Sequence, residues 1–170
     1  KQNEDCLRFI KNQTEALCLE AIKRNGYALK YVRNQTETIC LEAIKQNIMA
    51  WSYIKNQTPS LCLEILKKKI SIRCIKNQTE AICMEAVRQN GWNLIYVNNQ
   101  TNDIALEAVK QNGLALKFVK NQTDAVCLEA VKQRDGKALY YVKNQTEEIC
   151  LEAVKRNASC FYFVKNQTEE

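Results

Sequence analysis

The tripeptide Asn-Gln-Thr begins at Asn12, Asn34, Asn56, Asn77, Asn99, Asn121, Asn144 and Asn166, at intervals of 22, 22, 21, 22, 22, 23 and 22 residues. Self-similarity at a period of this size restricts a chain to repeat architectures, in which one supersecondary unit is copied and each copy leans on its neighbours. Counting from the Thr, units start at residues 14, 36, 58, 79, 101, 123 and 146, preceded by half a unit over 1–13, so residues 1–170 read as a single array.

The first half of a unit carries a helical pattern. Between Thr14 and Asn25, Leu17, Cys18, Leu19, Ala21 and Ile22 share a broad apolar arc, and Ala16, Glu20, Lys23 and Arg24 fill the rest of the wheel. Thr14 suits the N-cap, because its hydroxyl can accept from a free N–H of the first turn, and Glu15 suits the helix dipole. The one proline, Pro59, directly follows Thr58, at the first helical position where a missing N–H does no harm.

All four glycines, Gly26, Gly91, Gly113 and Gly136, fall just after this helix, where a left-handed residue would end it. The one-residue deletion in KKKIS (67–71) and the one-residue insertion in KQRDGKA (132–138) map to the same place, as expected of a connection. The second half, Tyr27 to Arg33, repeats Ala-Leu-x-Tyr-Val and predicts a short helix of two turns with Ala28, Leu29 and Val32 on one face and Tyr31 at its flank. Helices this short are marginal alone. The expected product is an all-α solenoid of about seven 22-residue helical hairpins.

The unit LEAVKQNGLALKFV (106–119) resembles a family of helical repeats of unknown function found in large DNA viruses of protists and in some bacteria. The resemblance runs along the whole chain, with KNQT a shorter link than that family's. It implies an all-α repeat fold and a viral or bacterial setting, and it carries no established activity.

Because copies stack, each position becomes a column. The column Leu19, Leu41, Leu63, Met84, Leu106, Leu128 and Leu151 reads as core, as does Val32, Ile54, Ile75, Val97, Val119, Val142 and Val164. A third column holds Cys18, Cys40, Cys62, Cys83, Cys127 and Cys150, with Ala105 in the fifth unit, which makes the thiol a small hydrophobe. Stacked helices about 8–10 Å apart cannot bridge through such a column, and a bridge such as Cys150–Cys160 within one unit is the alternative. Nine cysteines without a C-x-x-C pair, and no histidine, point away from zinc spacing and thiol–imidazole catalysis; no metal or cofactor is expected. Unpaired thiols favour a reducing, intracellular setting, the host cytoplasm or a virus particle if the source is viral.

The Glu column (Glu20, Glu42, Glu64, Glu85, Glu107, Glu129, Glu152) precedes a basic column by three residues, the spacing of surface ion pairs. Asn-x-Thr is a glycosylation pattern, yet a turn in which Asn adopts left-handed geometry and Thr caps the next helix explains every copy. The Gln side chains between them suit a ladder from link to link. No apolar run approaches a membrane span.

Two columns of the second helix vary: Tyr27, Met49, Ile70, Trp92, Leu114, Lys137 and Ser159, then Lys30, Ser52, Arg73, Ile95, Lys117, Tyr140 and Tyr162. Apolar and aromatic members rimmed by Lys and Arg suit a protein partner, which nominates Tyr27, Lys30, Met49, Arg73, Trp92, Ile95, Leu114, Lys117, Tyr140 and Tyr162. A partner-binding scaffold is the first reading. A structural part of a larger assembly, joined end to end or laterally and possibly a virion, is the second, since both ends stop in mid-array without a polar capping unit. RNA binding through Lys11, Arg33, Lys55, Lys76, Lys120, Lys143 and Lys165 is the third; Asn98 interrupts that column and the net charge of +6 is mild. With no phosphate-cradling glycine loop and no singular polar constellation, an enzyme is the least expected class.

Overall fold

A computed structural model of the chain describes residues 6–133 and 136–165. Every described element is helical, and α-helices alternate with 3-10 helices: α1 (Cys6–Phe9), α2 (Glu15–Arg24), η1 (Gly26–Tyr31), α3 (Glu37–Gln46), η2 (Ile48–Tyr53), α4 (Pro59–Lys67), η3 (Ile72–Cys74), α5 (Glu80–Gln89), η4 (Gly91–Tyr96), α6 (Asn102–Gln111), η5 (Gly113–Phe118), α7 (Asp124–Lys132), η6 (Lys137–Tyr141), α8 (Glu147–Arg156) and η7 (Ala158–Phe163). The fold is an α-solenoid of stacked helical pairs.

The described residues form two compact units. One comprises those through Ile70 together with Cys74–Asn77, and the other comprises Ser71–Arg73 and those from Gln78 onward. In the first, α2, α3 and α4 pack in series, with η1 against η2; in the second, α5 to α8 form one row and η4 to η7 another.

The sequence builds each pair with two caps. Among the described residues every expected Thr N-cap forms: Thr14, Thr36, Thr58, Thr79, Thr101, Thr123 and Thr146 each accept from the backbone N–H three residues on. Several of these hydroxyls also donate to the preceding helix, as Thr36 does to Glu15 at 2.8 Å, so one side chain closes a helix end and ties two repeats. The stop is made by a second residue. Asn25, Asn47, Asn90, Asn112 and Asn157 end their α-helices in extended geometry, and each carbonyl Oδ1 accepts from the N–H two residues on, opening the 3-10 helix.

That arrangement corrects the left-handed stop expected at the glycines and at the Asn of Asn-Gln-Thr. Among the described residues only Gly136 and Lys69 have positive φ, at 69° and 61°. Both lie where the capping Asn is missing: the deletion puts Lys68 at the α4 cap and the insertion puts Gln133 at the α7 cap. Without the Asn side chain to organise the connection, one left-handed residue reverses the chain. Residues 134–135 of the insertion and Asn166 lie outside the described residues.

Gly26, Gly91 and Gly113 serve close packing instead. A Cβ at Gly113 would stand 2.4 Å from the Ala130 carbonyl oxygen of the next α-helix, and one at Gly91 would stand 2.4 Å from that of Ala108. Glycine at these positions, and alanine in the facing helix, let one repeat's turn rest on the next repeat's backbone.

The core is narrower than the helical wheel suggests. Ile39, Cys40, Ala43 and Ile44 are buried, as are their counterparts in α5, α6 and α7, a stripe of about 140° at 100° per residue. The Leu column, read as core, lies about 60° beyond it and is only half-buried, with Leu151 51% exposed. The Val column is buried from Val32 to Val142, as its pattern requires.

Candidate functional site

The second helix of each pair has 3-10 rather than α geometry, and this organises the surface. With three residues per turn, side chains three apart eclipse. Gly26, Leu29 and Val32 form one buried line, and Ala28 and Tyr31 form a second, buried to half-buried. Tyr27 and Lys30 form the third line, which faces out. The two variable columns therefore merge into one outward ridge on the 3-10 helices other than η3, which begins after Ile70.

Of the nominated residues, Tyr27, Lys30, Met49, Arg73, Trp92, Ile95, Lys117, Tyr140 and Tyr162 are exposed, and Leu114 is half-buried. In the first unit Tyr27 and Met49 stand on η1 and η2; in the second, Trp92 and Ile95 on η4, Leu114 and Lys117 on η5, Tyr140 on η6 and Tyr162 on η7. Arg73 stands on η3. Tyr140 is 62% exposed and Tyr162 84%.

An aromatic column missing from the nominated set joins the ridge: Tyr31, Tyr53, Tyr96, Phe118, Tyr141 and Phe163, the last residue of every described 3-10 helix but η3, which ends in Cys74. Its rings meet ridge residues of the preceding repeat edge to face, Tyr27 with Tyr53 at 6.1 Å, Trp92 with Phe118 at 5.3 Å and Tyr140 with Phe163 at 5.6 Å. The Tyr of the Ala-Leu-x-Tyr-Val pattern was the available signal; only the 3-10 pitch shows that it abuts the variable position next door.

Beneath the ridge the Gln of each link clamps successive repeats. Gln100 donates from Nε2 to the Leu94 and Phe118 carbonyls, both at 3.1 Å, while its Oε1 accepts from the Lys120 N–H at 3.0 Å. Gln13, Gln35, Gln122 and Gln145 repeat this three-bond arrangement with their own neighbours. The amide thus satisfies the end of its own 3-10 helix and reads both a donor and an acceptor of the next. This is the ladder the sequence suggested, and its rungs run to backbone rather than from Gln to Gln.

The link cations take a related part. Lys120 Nζ donates to the Asn98 carbonyl at 2.9 Å, Lys143 Nζ to that of Lys120 at 3.3 Å and Lys165 Nζ to that of Val142 at 2.7 Å. These carbonyls follow 3-10 helix ends, where a cation is favourable. On the α-helices, Glu42 pairs with Lys45 and Glu64 with Lys67 at the expected three-residue spacing. Glu20 and Glu152 instead reach Arg24 and Arg156 one residue further on, and Glu107 pairs with Arg88 of the preceding repeat. All are solvated, so each contributes at most about 1 kcal/mol.

The thiol column behaves as a hydrophobe. Cys18, Cys40, Cys62, Cys83 and Cys127 are buried and free, and Cys150, also free, is not joined to Cys160. Burial pushes all six upward in pKa, Cys40 to about 11 with the nearby Glu37 carboxylate adding to the effect. An unfolded chain ionises these thiols from about pH 9 while the folded chain keeps them protonated, so the unfolded state binds fewer protons and stability falls between about pH 9 and 11. Urea midpoints at pH 8 and pH 11 are expected to differ less in Cys40→Ala than in the parent chain, and equal differences would remove this account.

Among the described residues no three potential metal ligands cluster, and no helix is long and apolar enough to cross a membrane.

Comparison with known families adds the decisive observation. A family model described as a domain of unknown function (DUF4116) matches residues 14–57 and 79–123, just over half of the chain. The chain belongs to this family. Each match starts on an N-capping Thr and spans two successive repeats, the first and second and then the fourth and fifth; the third and sixth repeats, where the deletion and insertion fall, and the seventh lie outside the matches. No curated protein and no solved structure matches the chain.

Proposed function

We propose that this DUF4116 chain is a non-enzymatic scaffold that binds protein partners through the exposed ridges of its 3-10 helices. The observation that carries this reading is the merger of the two variable columns into one outward line, by a pitch of three residues per turn that sets them away from the buried line of Gly26, Leu29 and Val32. Positions that build the stack are repeated nearly unchanged, while the ridge changes from Tyr and Lys to Trp and Ile to Lys and Tyr along the chain. Rigid backbone below and variable aromatic anchors above are what partner discrimination requires. The thiols of the repeated column are pushed upward in pKa by burial and so offer no ready thiolate near neutral pH, in keeping with a packing role.

RNA binding through the link cations draws less support, because Asn98 interrupts that column and the net charge of +6 is mild. A chain that stays monomeric at high concentration in light scattering would count against the assembly reading.

The scaffold reading is tested by affinity capture with the parent chain and the Trp92→Ala, Tyr140→Ala double variant, both checked for equal thermal unfolding. Loss of the captured partners in the variant is expected; an unchanged set would remove the ridge as the binding surface.

A further inference from the structure

The charges of the second unit are sorted by layer. All its described acidic residues lie on α5 to α8, and the stretches 91–101, 113–123, 136–146 and 158–165, which hold η4 to η7 and their links, contain none. The same stretches carry Lys117, Lys120, Lys137, Lys143 and Lys165. Among the described residues, ion pairs of this unit join Arg88 to Glu107 and Arg156 to Glu152, all on α-helices, and Lys117, Lys120, Lys143 and Lys165 take no part in them.

The cations are interleaved with rings. Lys117 Nζ lies 5.9 Å from the centre of the Phe118 ring and 6.0 Å from that of Tyr141 in the next repeat, the outer range of a cation–π contact. Tyr140 meets Tyr141 at 5.1 Å and Phe163 at 5.6 Å, so the rings run on from repeat to repeat. Exposed Trp92, Ile95, Tyr140 and Tyr162 stand along this row.

We infer that the 3-10 helix row of the second unit takes an extended acidic polypeptide segment bearing an apolar side chain at every third residue. The inference rests on the scaffold reading and names the chemistry of its partner. A neutral or basic segment would strand the lysines without counter-charge on desolvation, whereas carboxylates compensate them. Packed helices repeat at about 8–10 Å, and three residues of extended chain at about 3.1–3.4 Å each cover that distance. A chain laid along the row therefore meets an equivalent ridge position every third residue, and four helices accept about ten residues. Single-stranded nucleic acid fits less well, since base stacking needs free ring faces and these rings pack edge to face against one another.

Fluorescence anisotropy at low salt tests this with a labelled twelve-residue peptide of Leu-Glu-Ser repeated four times. Its counterparts replace Leu by Ala or Glu by Lys, and a twelve-nucleotide oligouridine stands for nucleic acid. Binding of the first probe at least tenfold tighter than the other three is expected. It should weaken about tenfold in Lys117→Glu and in the Ile95→Ala, Tyr140→Ala double variant, each shown by circular dichroism to melt as the parent does. No saturable binding, equal or tighter binding of any counterpart, or unchanged affinity in both folded variants would overturn the inference. Should partner capture still depend on Trp92 and Tyr140 while the acidic probe fails, the acidic class falls and the scaffold stands.

Discussion

Gln100→Leu is expected to lower stability by about 2–4 kcal/mol, although the residue is only part-buried and touches no other side chain through its amide. Three bonds are lost at once, each with a net value of about 0.5–1.5 kcal/mol. The Phe118 carbonyl and the Lys120 N–H lose the partner that the clamp supplies. Because stability in a repeat array is a sum of unit and neighbour terms, the loss is concentrated at one junction. Hydrogen exchange should quicken most in α6 and η5, and the urea transition should broaden. Gln100→Glu separates donor from acceptor: it still accepts from Lys120 but sets a carboxylate against two carbonyl oxygens. Its folded-state pKa is then raised, so its stability should recover as pH falls through the carboxylate range. Uniform exchange along the chain, or a loss under 0.5 kcal/mol, would show that the clamp is incidental.

The second large effect is expected at Gly113. Its φ is negative, so a side chain there meets no backbone strain of the left-handed kind. The obstacle is contact: a Cβ would lie 2.4 Å from the Ala130 carbonyl oxygen and 2.9 Å from the Gln133 Cβ. Backbone has to move apart to admit it, and overpacking of this kind costs about 1–3 kcal/mol. Gly113→Ala should fall in that range by chemical denaturation, and Gly113→Val should exceed it. Gly136→Ala is a useful contrast, because there a positive φ adds strain to a contact of 2.7 Å. If Gly113→Ala proved neutral or stabilising, the short turn would owe nothing to close approach.

What the sequence discloses about this protein follows from the range of the forces involved. Thr caps, the proline at a first turn, the alternation of two helices and the stacking of copies all rest on contacts within a few residues, repeated seven times, and each is present where the columns place it. The split between repeated and variable columns likewise foretold that Tyr27, Trp92, Ile95 and Tyr140 face out, whereas Leu114 and Ile70 of the same columns are half-buried. Other features depended on contacts 17 to 23 residues away. An isolated GYALKY stretch does not reveal 3-10 pitch; packing between successive α-helices selects it, with an Asn cap at its start and a Gln clamp at its end. Nor could composition say why glycine follows the α-helix, since a left-handed stop and a close approach ask for the same residue. The Leu column misled for a related reason, because apolar character is equally compatible with the core stripe and with its margin. Local periodicity set the array and its outward columns, and the stacked neighbours decided the pitch that joins those columns into one ridge.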